Sequence, residues 1–455
     1  MNNETIAAIA TPQGVGAIGI IRLSGKDAIE LCNKVFLGKN LNAQQSHTIY
    51  YGYIVDGEKT LDEVMVSIFR APKSFTTEDV AEISCHGSPF VLEQILHLLL
   101  KHGARLAKPG EFSQRAFLNG RINLAQAEAV ADIIASENEM QHKVALQQMR
   151  GGYAKDLQLL RQQLIDYAAL IELELDFGEE DVEFAKRDQL IDFVSHLQAH
   201  ISGLIDSFKT GNAIKEGIPV AIIGKPNAGK STLLNALLNE ERAIVSEIAG
   251  TTRDSIEDVM HYKGFSFRFI DTAGIRETTD TIESIGVERA LAKARNASVV
   301  LYLFDVASTS VQELLAEIKS LNAVDAMVIP VANKIDKTTW KVTAPFTHIP
   351  NIQFISAGQK YNIELLNENL YKLATNNTQL AASNYSIVSN TRHYEALVKA
   401  NEALAKVQAG LTNKSSGELV AFDLRDALEH LGSITGEVSN EEVLGSIFSR
   451  FCIGK

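Results

Sequence analysis

Apolar positions along the chain change their spacing three times, and each change marks a different architecture. From Met1 to about Leu118, strand-like and helix-like segments alternate. Val64, Val66 and Ile68 recur at the two-residue spacing of a strand with one buried face, and Asp56-Gly57 reads as a tight turn joining them to the aromatic-rich run 49–55. From Asn119 the period becomes helical: Leu124, Ala127, Val130, Ala131 and Ile134 share a face, and the pattern continues through Leu159, Leu164 and Leu175. No proline occurs between 110 and 218, which suits long helices. The acidic stretch Asp176 to Glu183 marks either a connection between helices or simply a solvated turn.

At Ile218 short buried runs begin to alternate with helices, as far as about Ala374. The expected strands are 220–224, 265–271, 298–305, 327–333 and 352–357, a pattern that predicts a parallel doubly wound sheet. After Thr375 the helical period returns, with Leu397, Ala400, Leu404 and Val407 on one face. A capping box, Ser439 to Glu442, opens a final helix carrying Val443, Leu444, Ile447 and Phe451. The expected fold class is therefore multidomain, α/β plus all-α. An α/β domain spans 1–118, a helical domain is built from 119–215 and 375–455, and a second α/β domain at 216–374 is inserted into it.

Composition agrees with a globular chain: 455 residues, 45% apolar and 22% charged, with a mean hydropathy near zero. The longest apolar run, Ala297 to Phe304, is strand-sized, far short of the roughly 18 residues a membrane helix needs. The first basic residue is Arg22, so a charged secretory or transit start is missing and a cytoplasmic location is expected. Cys32, Cys85 and Cys452 form neither a disulfide framework nor a paired zinc spacing. A net charge of −13 disfavours non-specific attraction to nucleic acid, so any RNA contact has to be a local patch or be shared with a partner.

Gly224-Lys-Pro-Asn-Ala-Gly-Lys-Ser231 fits the P-loop pattern, between the strand 220–223 and a helix expected over 232–239. Its glycines let backbone amides curl around phosphate oxygens at a helix N-terminus; Lys230 is expected to reach the β and γ phosphates and the Ser231 hydroxyl to bind Mg²⁺. Asn227, Ala228, Gly229 and Thr232 complete the expected phosphate contacts. Asp271-Thr272-Ala273-Gly274 closes a strand where a doubly wound sheet takes its ligand: Asp271 can hold a water on Mg²⁺, and the Gly274 amide can meet the γ phosphate. Asn333-Lys334-Ile335-Asp336 closes another, and its carboxylate can accept both the N1 and N2 protons of guanine, a pair that adenine lacks. Between them, Gly250-Thr251-Thr252-Arg253 lies where a switch loop brings a second Mg²⁺ ligand, assigned to Thr252, and Ser356-Ala357 is the expected backbone contact to the base. Each short motif is weak alone; in this order, at these strand ends, they form a GTPase set similar to the bacterial translation-factor-like branch. Ile275 follows the Asp-Thr-Ala-Gly motif, so no glutamine stands there to orient the attacking water.

Three further features carry a wider resemblance: the segment Pro109-Gly-Glu-Phe-Ser-Gln-Arg-Ala-Phe-Leu-Asn-Gly-Arg-Ile-Asn-Leu124, the ending Phe451-Cys-Ile-Gly-Lys455, and Gly250-Thr-Thr-Arg-Asp254. With the inserted architecture, they make the chain resemble the MnmE (TrmE) family of tRNA modification GTPases from Ala10-Thr-Pro12 to Lys455. The resemblance implies a folate-binding and dimerising N-terminal domain, a helical domain and a G domain. It implies a homodimer that works on tRNA with the FAD-carrying partner MnmG (GidA), in a heterotetramer or larger complex. The implied product is a carboxymethylaminomethyl or aminomethyl group on C5 of the wobble uridine, its one-carbon unit drawn from a tetrahydrofolate derivative, 5-formyl or methylene.

The same resemblance assigns the folate site to Arg22, Glu82, Arg121 and Lys455, cations suiting the ligand's glutamate carboxylates and Glu82 the donors of its amino-pyrimidine. Which cation meets which group stays open. The family commonly has Lys at position 121; Arg keeps the charge but changes its geometry. Cys452 is placed near the one-carbon chemistry, although a cysteine there reads equally as a small buried hydrophobe. His86 is taken as structural. For hydrolysis, the resemblance implies K⁺-promoted pairing of G domains, with Asn227, Ser246, Ile248 and Thr251 as K⁺ ligands. Glu247 and Ala249 belong to the same nucleotide-covering loop, and Glu283 orients water through intermediates. A regulatory ribosome-assembly GTPase is the alternative, although this chain shows one G domain and no Gly-x-x-Gly loop in a basic flank.

Overall fold

The computed structural model describes residues 4–176, 186–239, 258–270, 295, 297–321, 326–376, 387–439, 441–449, 451, 453 and 454. The chain divides into two compact units, one comprising 1–135, 146–195 and 399–455, the other 136–145 and 196–398.

The first unit contains a seven-stranded sheet: β1 (Ile6–Ile9), β2 (Ile18–Ser24), β3 (Phe36–Leu37), β4 (Thr48–Asp56), β5 (Lys59–Phe69), β6 (Val80–His86) and β7 (Arg105–Leu106). Their order is β3-β4-β5-β6-β2-β1-β7, antiparallel throughout except for β1 beside β7. The Asp56-Gly57 turn is present: Asp56 pairs with Lys59, and Gly57 has φ 64°. Alternation sends Val64, Val66 and Ile68 inward, where they share a core with helices Ala28–Val35 and Pro89–Lys101. Full burial of each such side chain is worth about 1.5–3 kcal/mol. Helix Glu111–Leu118 is tied to the sheet through charges: Glu111 accepts from both Arg105 and Arg115, and Arg115 also donates to Glu78 at 3.0 Å. Burial alone pushes the Glu111 carboxyl up, but the two guanidiniums and the Lys108 N–H bring it below its ordinary range.

The helical part of this unit includes Leu124–Ala135, Gly152–Asp176, Gly417–Thr435 and Glu441–Phe448. Leu164, Ile171, Leu424 and Leu431 are buried. Ile134, Leu159 and Leu175 keep the helical spacing but are exposed, so the apolar stripe is wider than the face buried here. The last helix stops at Phe448, not at Phe451 as expected; Phe451 instead donates its N–H to the Phe448 carbonyl in a turn.

The second unit holds a six-stranded sheet: β8 (Ile218–Ile223), β9 (Asp258–Tyr262), β10 (Phe265–Phe269), β11 (Val299–Asp305), β12 (Met327–Asn333) and β13 (Gln353–Phe354), ordered β13-β12-β11-β8-β10-β9. Val299, Leu301 and Leu303 enter one core and Val300, Tyr302 and Phe304 the other, so β11 is buried on both faces, as a parallel sheet with two covered sides requires. The sheet is not wholly parallel. β9 runs antiparallel to β10 through a two-residue turn, Lys263-Gly264, with φ 46° and 83°, values that suit a hairpin. The strand expected at 352–357 is only two residues long, because Ser356 leaves the ladder to pair with Tyr361. In this unit the Ser207 hydroxyl accepts from the Val388 N–H at 3.0 Å, and Phe208 stacks on Tyr394 with centroids 4.2 Å apart. Among the described residues no helix is long and apolar enough to cross a membrane.

Candidate functional site

β8 ends at Ile223 and helix Lys230–Asn239 begins seven residues on, leaving the P-loop between them at the strand ends of the sheet. A Cβ at Gly224 would collide with the Leu303 carbonyl, so only glycine lets the chain turn out of the strand here. Asn227 is left-handed, with φ 60°. The Lys230 ammonium folds back over the loop, donating to the carbonyls of Gly224 at 2.8 Å and Lys225 at 2.9 Å. Ala228 is buried, Ser231 is half-buried and Thr232 is exposed at the start of the helix. Amides at a helix N-terminus, an ammonium over the loop and a hydroxyl make a set of groups suited to phosphate and Mg²⁺.

Two side chains fasten the Asn-Lys-x-Asp segment to this loop. Asn333, 2% exposed, donates from Nδ2 to the Ala228 carbonyl at 2.8 Å and accepts at Oδ1 from the Ala357 N–H at 3.0 Å. Lys334, itself left-handed at φ 64°, donates to the Asn227 carbonyl at 2.7 Å and to Asp305 Oδ2 at 2.9 Å. Burial pushes the Asp305 carboxyl up, but the Lys334 ammonium and the Ala307 N–H hold it below the usual carboxylate range, so it stays an anion against that cation. Asp336 is exposed and accepts at Oδ1 from the Ser356 hydroxyl at 2.5 Å. Asn227, Ala228, Lys230, Asn333, Lys334, Asp336, Ser356 and Ala357 are thus gathered into one connected set. Sequence reasoning had no signal for Asp305, the anion that anchors Lys334 from the end of the neighbouring strand.

The first unit gathers the other predicted cluster. Arg22 on β2 lies directly across from Glu82 on β6, and Arg22 Nε donates to Glu82 Oε1 at 2.7 Å. The Arg22 guanidinium lies 5.8 Å from the Phe112 ring and 6.0 Å from the Phe75 ring, and the Arg121 guanidinium lies 5.3 Å from Phe75. Arg121 also donates to the Ser74 carbonyl. Arg22 Nη1 reaches the Gly454 carbonyl at 3.3 Å. Gly454 has φ 97°, and a Cβ there would come within 2.5 Å of the Ile9 carbonyl oxygen. Phe448 and Phe451 are buried with Leu124 and Ala127, which holds the end of the chain beside the segment that carries Arg121. Phe75 sits between two turn-forming stretches without periodicity, so nothing in the sequence marked it. Cys32 and Cys85 are buried, which raises their thiols to about 12 and about 11, and neither is a ready nucleophile. His86 Nδ1 lies 2.7 Å from Asp62 Oδ1.

Ser246, Glu247, Ile248, Ala249, Gly250, Thr251, Thr252, Asp271, Thr272, Ala273, Gly274, Glu283, Cys452 and Lys455 lie outside the described residues.

A P-loop between β8 and its helix, joined to an Asn-Lys-x-Asp segment at the end of β12 in a doubly covered sheet, defines a P-loop G domain, here one part of a multidomain α/β and helical chain. The family profile described as MnmE helical domain matches residues 124–452, and the one described as GTP-binding protein TrmE N-terminus matches residues 5–121. A protein of Cytophaga hutchinsonii named tRNA modification GTPase MnmE is 54% identical over 454 residues, which cover 100% of this chain and 98% of that one. Bearers of the same name from Christiangramia forsetii and Bacteroides fragilis are 51% and 50% identical, covering 100% of this chain and 99% and 100% of theirs. The chain belongs to the MnmE (TrmE) family.

Proposed function

We propose that this chain is the GTP-hydrolysing component of a tRNA-modifying system. The observation that carries the proposal is the match to proteins named tRNA modification GTPase, 54% identical over 454 residues, in a chain whose P-loop and Asn-Lys-x-Asp segment are physically joined. In this reading Lys230 meets the β and γ phosphates, Ser231 and Thr252 hold Mg²⁺, and Asp336 accepts from guanine while Ser356 fixes its rotamer. The left-handed turn at Asn227, with Ser246, Ile248 and Thr251, holds K⁺. These cations supply positive charge against the phosphate oxygens, the part an arginine finger plays elsewhere. Glu283 orients the attacking water through intermediates, the task left open by Ile275.

Arg22, Arg121 and Lys455 hold the carboxylates of a tetrahydrofolate derivative, 5-formyl or methylene, and Glu82 accepts from its amino-pyrimidine. Phe75 within about 6 Å of two guanidiniums, one of them paired with the Glu82 carboxylate, fits a flat ligand with anionic and donor ends. That ligand supplies the one-carbon unit, with Cys452 beside it at the C-terminus. The chain acts in the cytoplasm as a homodimer with the FAD-carrying partner MnmG (GidA), in a heterotetramer or larger complex. Together they add a carboxymethylaminomethyl or aminomethyl group to C5 of uridine at the wobble position of certain tRNAs. Nucleoside analysis of tRNA from a strain lacking this chain tests the reading. The modified wobble uridine is expected to vanish and to return on complementation, and an unchanged nucleoside profile would refute it.

A further inference from the structure

The loops that follow β12 and β13 enclose a cavity of about 650 Å³, lined among others by Asp336, Trp340, Phe354, Ser356, Tyr361 and Asn362. It shares Asp336 and Ser356 with the guanine contact proposed above, whereas Lys334, which joins the same loop to the P-loop, is not among its lining residues. The hydrogen-bonded pair Asp336–Ser356 forms part of this lining. Two large rings stand open at this cavity, Trp340 at 72% exposure and Tyr361 at 59%. Exposed aromatic rings around a cavity of ligand size mark a recognition surface rather than core. Gln359 and Asn362 add amide donors and acceptors to its lining.

The charge around this cavity departs from that of the chain. Residues 335–362, the stretch that supplies the lining, carry three lysines and one aspartate in a protein with a net charge of −13. Lys337, Lys341 and Lys360 are exposed, and each adjoins a lining residue in the chain: Asp336, Trp340 and Tyr361. Aromatic faces interleaved with cations are how proteins hold a single strand, the rings stacking on bases while the lysines track the phosphates. We propose that this cavity receives an unpaired base of an RNA strand, stacked on Trp340 and Tyr361, with flanking phosphates met by Lys337, Lys341 and Lys360. The inference rests on the tRNA-modification reading, which makes tRNA the RNA concerned.

Trp340 is the only tryptophan in the chain, so tryptophan emission, excited at the red edge where its eleven tyrosines do not absorb, reports on this cavity alone. With the full chain and bound GDP, deacylated tRNA and single-stranded oligouridine are expected to quench that emission saturably and less tightly as salt rises. Trp340→Ala should weaken tRNA binding about ten-fold, the scale of one lost base stack. A Lys341→Glu, Lys360→Glu double variant should weaken it as well, with a shallower salt dependence. GTP hydrolysis should remain at the parent rate in every variant; Tyr361→Ala takes the place of Trp340→Ala if the latter loses hydrolysis through misfolding. Parent-level tRNA affinity in both aromatic variants, or unquenched emission in a tRNA-bound parent, overturns the inference and leaves the tRNA reading standing. Quenching by free nucleosides or peptides without any effect of the variants on RNA also overturns it. A parent chain that binds no tRNA overturns both.

Discussion

Arg22 donates from Nη1 to the carbonyl oxygen of Gly454 at 3.3 Å, so a strand in the first domain and the penultimate residue of the chain meet at one side chain. The same guanidinium pairs with Glu82 and lies near Phe75 and Phe112, which puts the end of the chain at the cluster proposed for the folate derivative.

Gly454→Ala should disturb that meeting. Its Cβ would approach the Ile9 carbonyl oxygen to 2.5 Å, at a φ of 97° that a side chain resists. A non-glycine residue held in such a region costs about 1–3 kcal/mol. Binding of 5-formyltetrahydrofolate, followed by calorimetry, should fall roughly ten-fold, whereas GTP turnover should stay near the parent value. Parent-level folate binding would separate the C-terminus from this site. Deleting Cys452 to Lys455 should abolish tRNA modification on the same grounds.

Asp336→Asn should weaken GTP binding and shift preference toward xanthine nucleotides, whose C2 oxygen accepts from an amide. The Ser356 hydroxyl that now donates to Asp336 can still hold the asparagine oxygen, so the loop should keep its shape. A lost pair of charge-assisted hydrogen bonds corresponds to roughly 100-fold in affinity. Calorimetry with GTP and XTP reads both arms, and an unchanged GTP affinity would remove Asp336 from the base.

Turnover should be several-fold faster in K⁺ than in Na⁺ at matched ionic strength. Asn227 is already turned into a left-handed conformation within the phosphate loop, and Ile275 leaves no glutamine to position water. Glu283→Ala should depress kcat while GTP binding is retained, because that residue is assigned to water rather than to phosphate. Equal rates in the two salts would eliminate the cation mechanism.

His86 should titrate above its ordinary value, because hydrogen bonding to Asp62 and then its charge favour the imidazolium. A histidine raised in the folded state contributes stability that is fully present below the unfolded value, near 6.5, and is lost as pH rises through the folded value. Nuclear magnetic resonance titration should show the midpoint falling back in Asp62→Asn; an unmoved midpoint would mean that the pairing at 2.7 Å does not govern the proton.

The nucleotide half of the molecule was legible in the sequence, because a P-loop needs particular residue types in a fixed spacing between a strand and a helix. β8, β11 and β12 fell where buried runs predicted them, since both faces of those strands are covered. β10 lies within the strand expected at 265–271, but β9 and its antiparallel pairing were not predicted, although Tyr262-Lys-Gly-Phe265 carries a turn signal. The helical period found helix Gly152–Asp176 but could not tell that Leu159 faces outward while Leu164 is buried, because spacing identifies a face and not what covers it. The pairing of Arg22 with Gly454 spans 432 residues, and no local pattern encodes it. Its candidate role came from resemblance alone.

Asn333 turns the nucleotide site into a gauge of length. An amide carries a donor and an acceptor at one end, and Asn333 spends the donor on the phosphate loop and the acceptor on the loop beyond β13. An aspartate there would set an oxygen against the Ala228 carbonyl and push the two loops apart. In the proposed reading the spacing between the pocket for a base and the cradle for its phosphates is held by Asn333, through hydrogen bonds of 2.8 and 3.0 Å, with Lys334 adding a second tie to the phosphate loop at 2.7 Å. On that reading, a ligand with the right base on too short or too long a tether would have to break these hydrogen bonds to be held at both ends, so the site would select its guest by length as well as by the edges of its base.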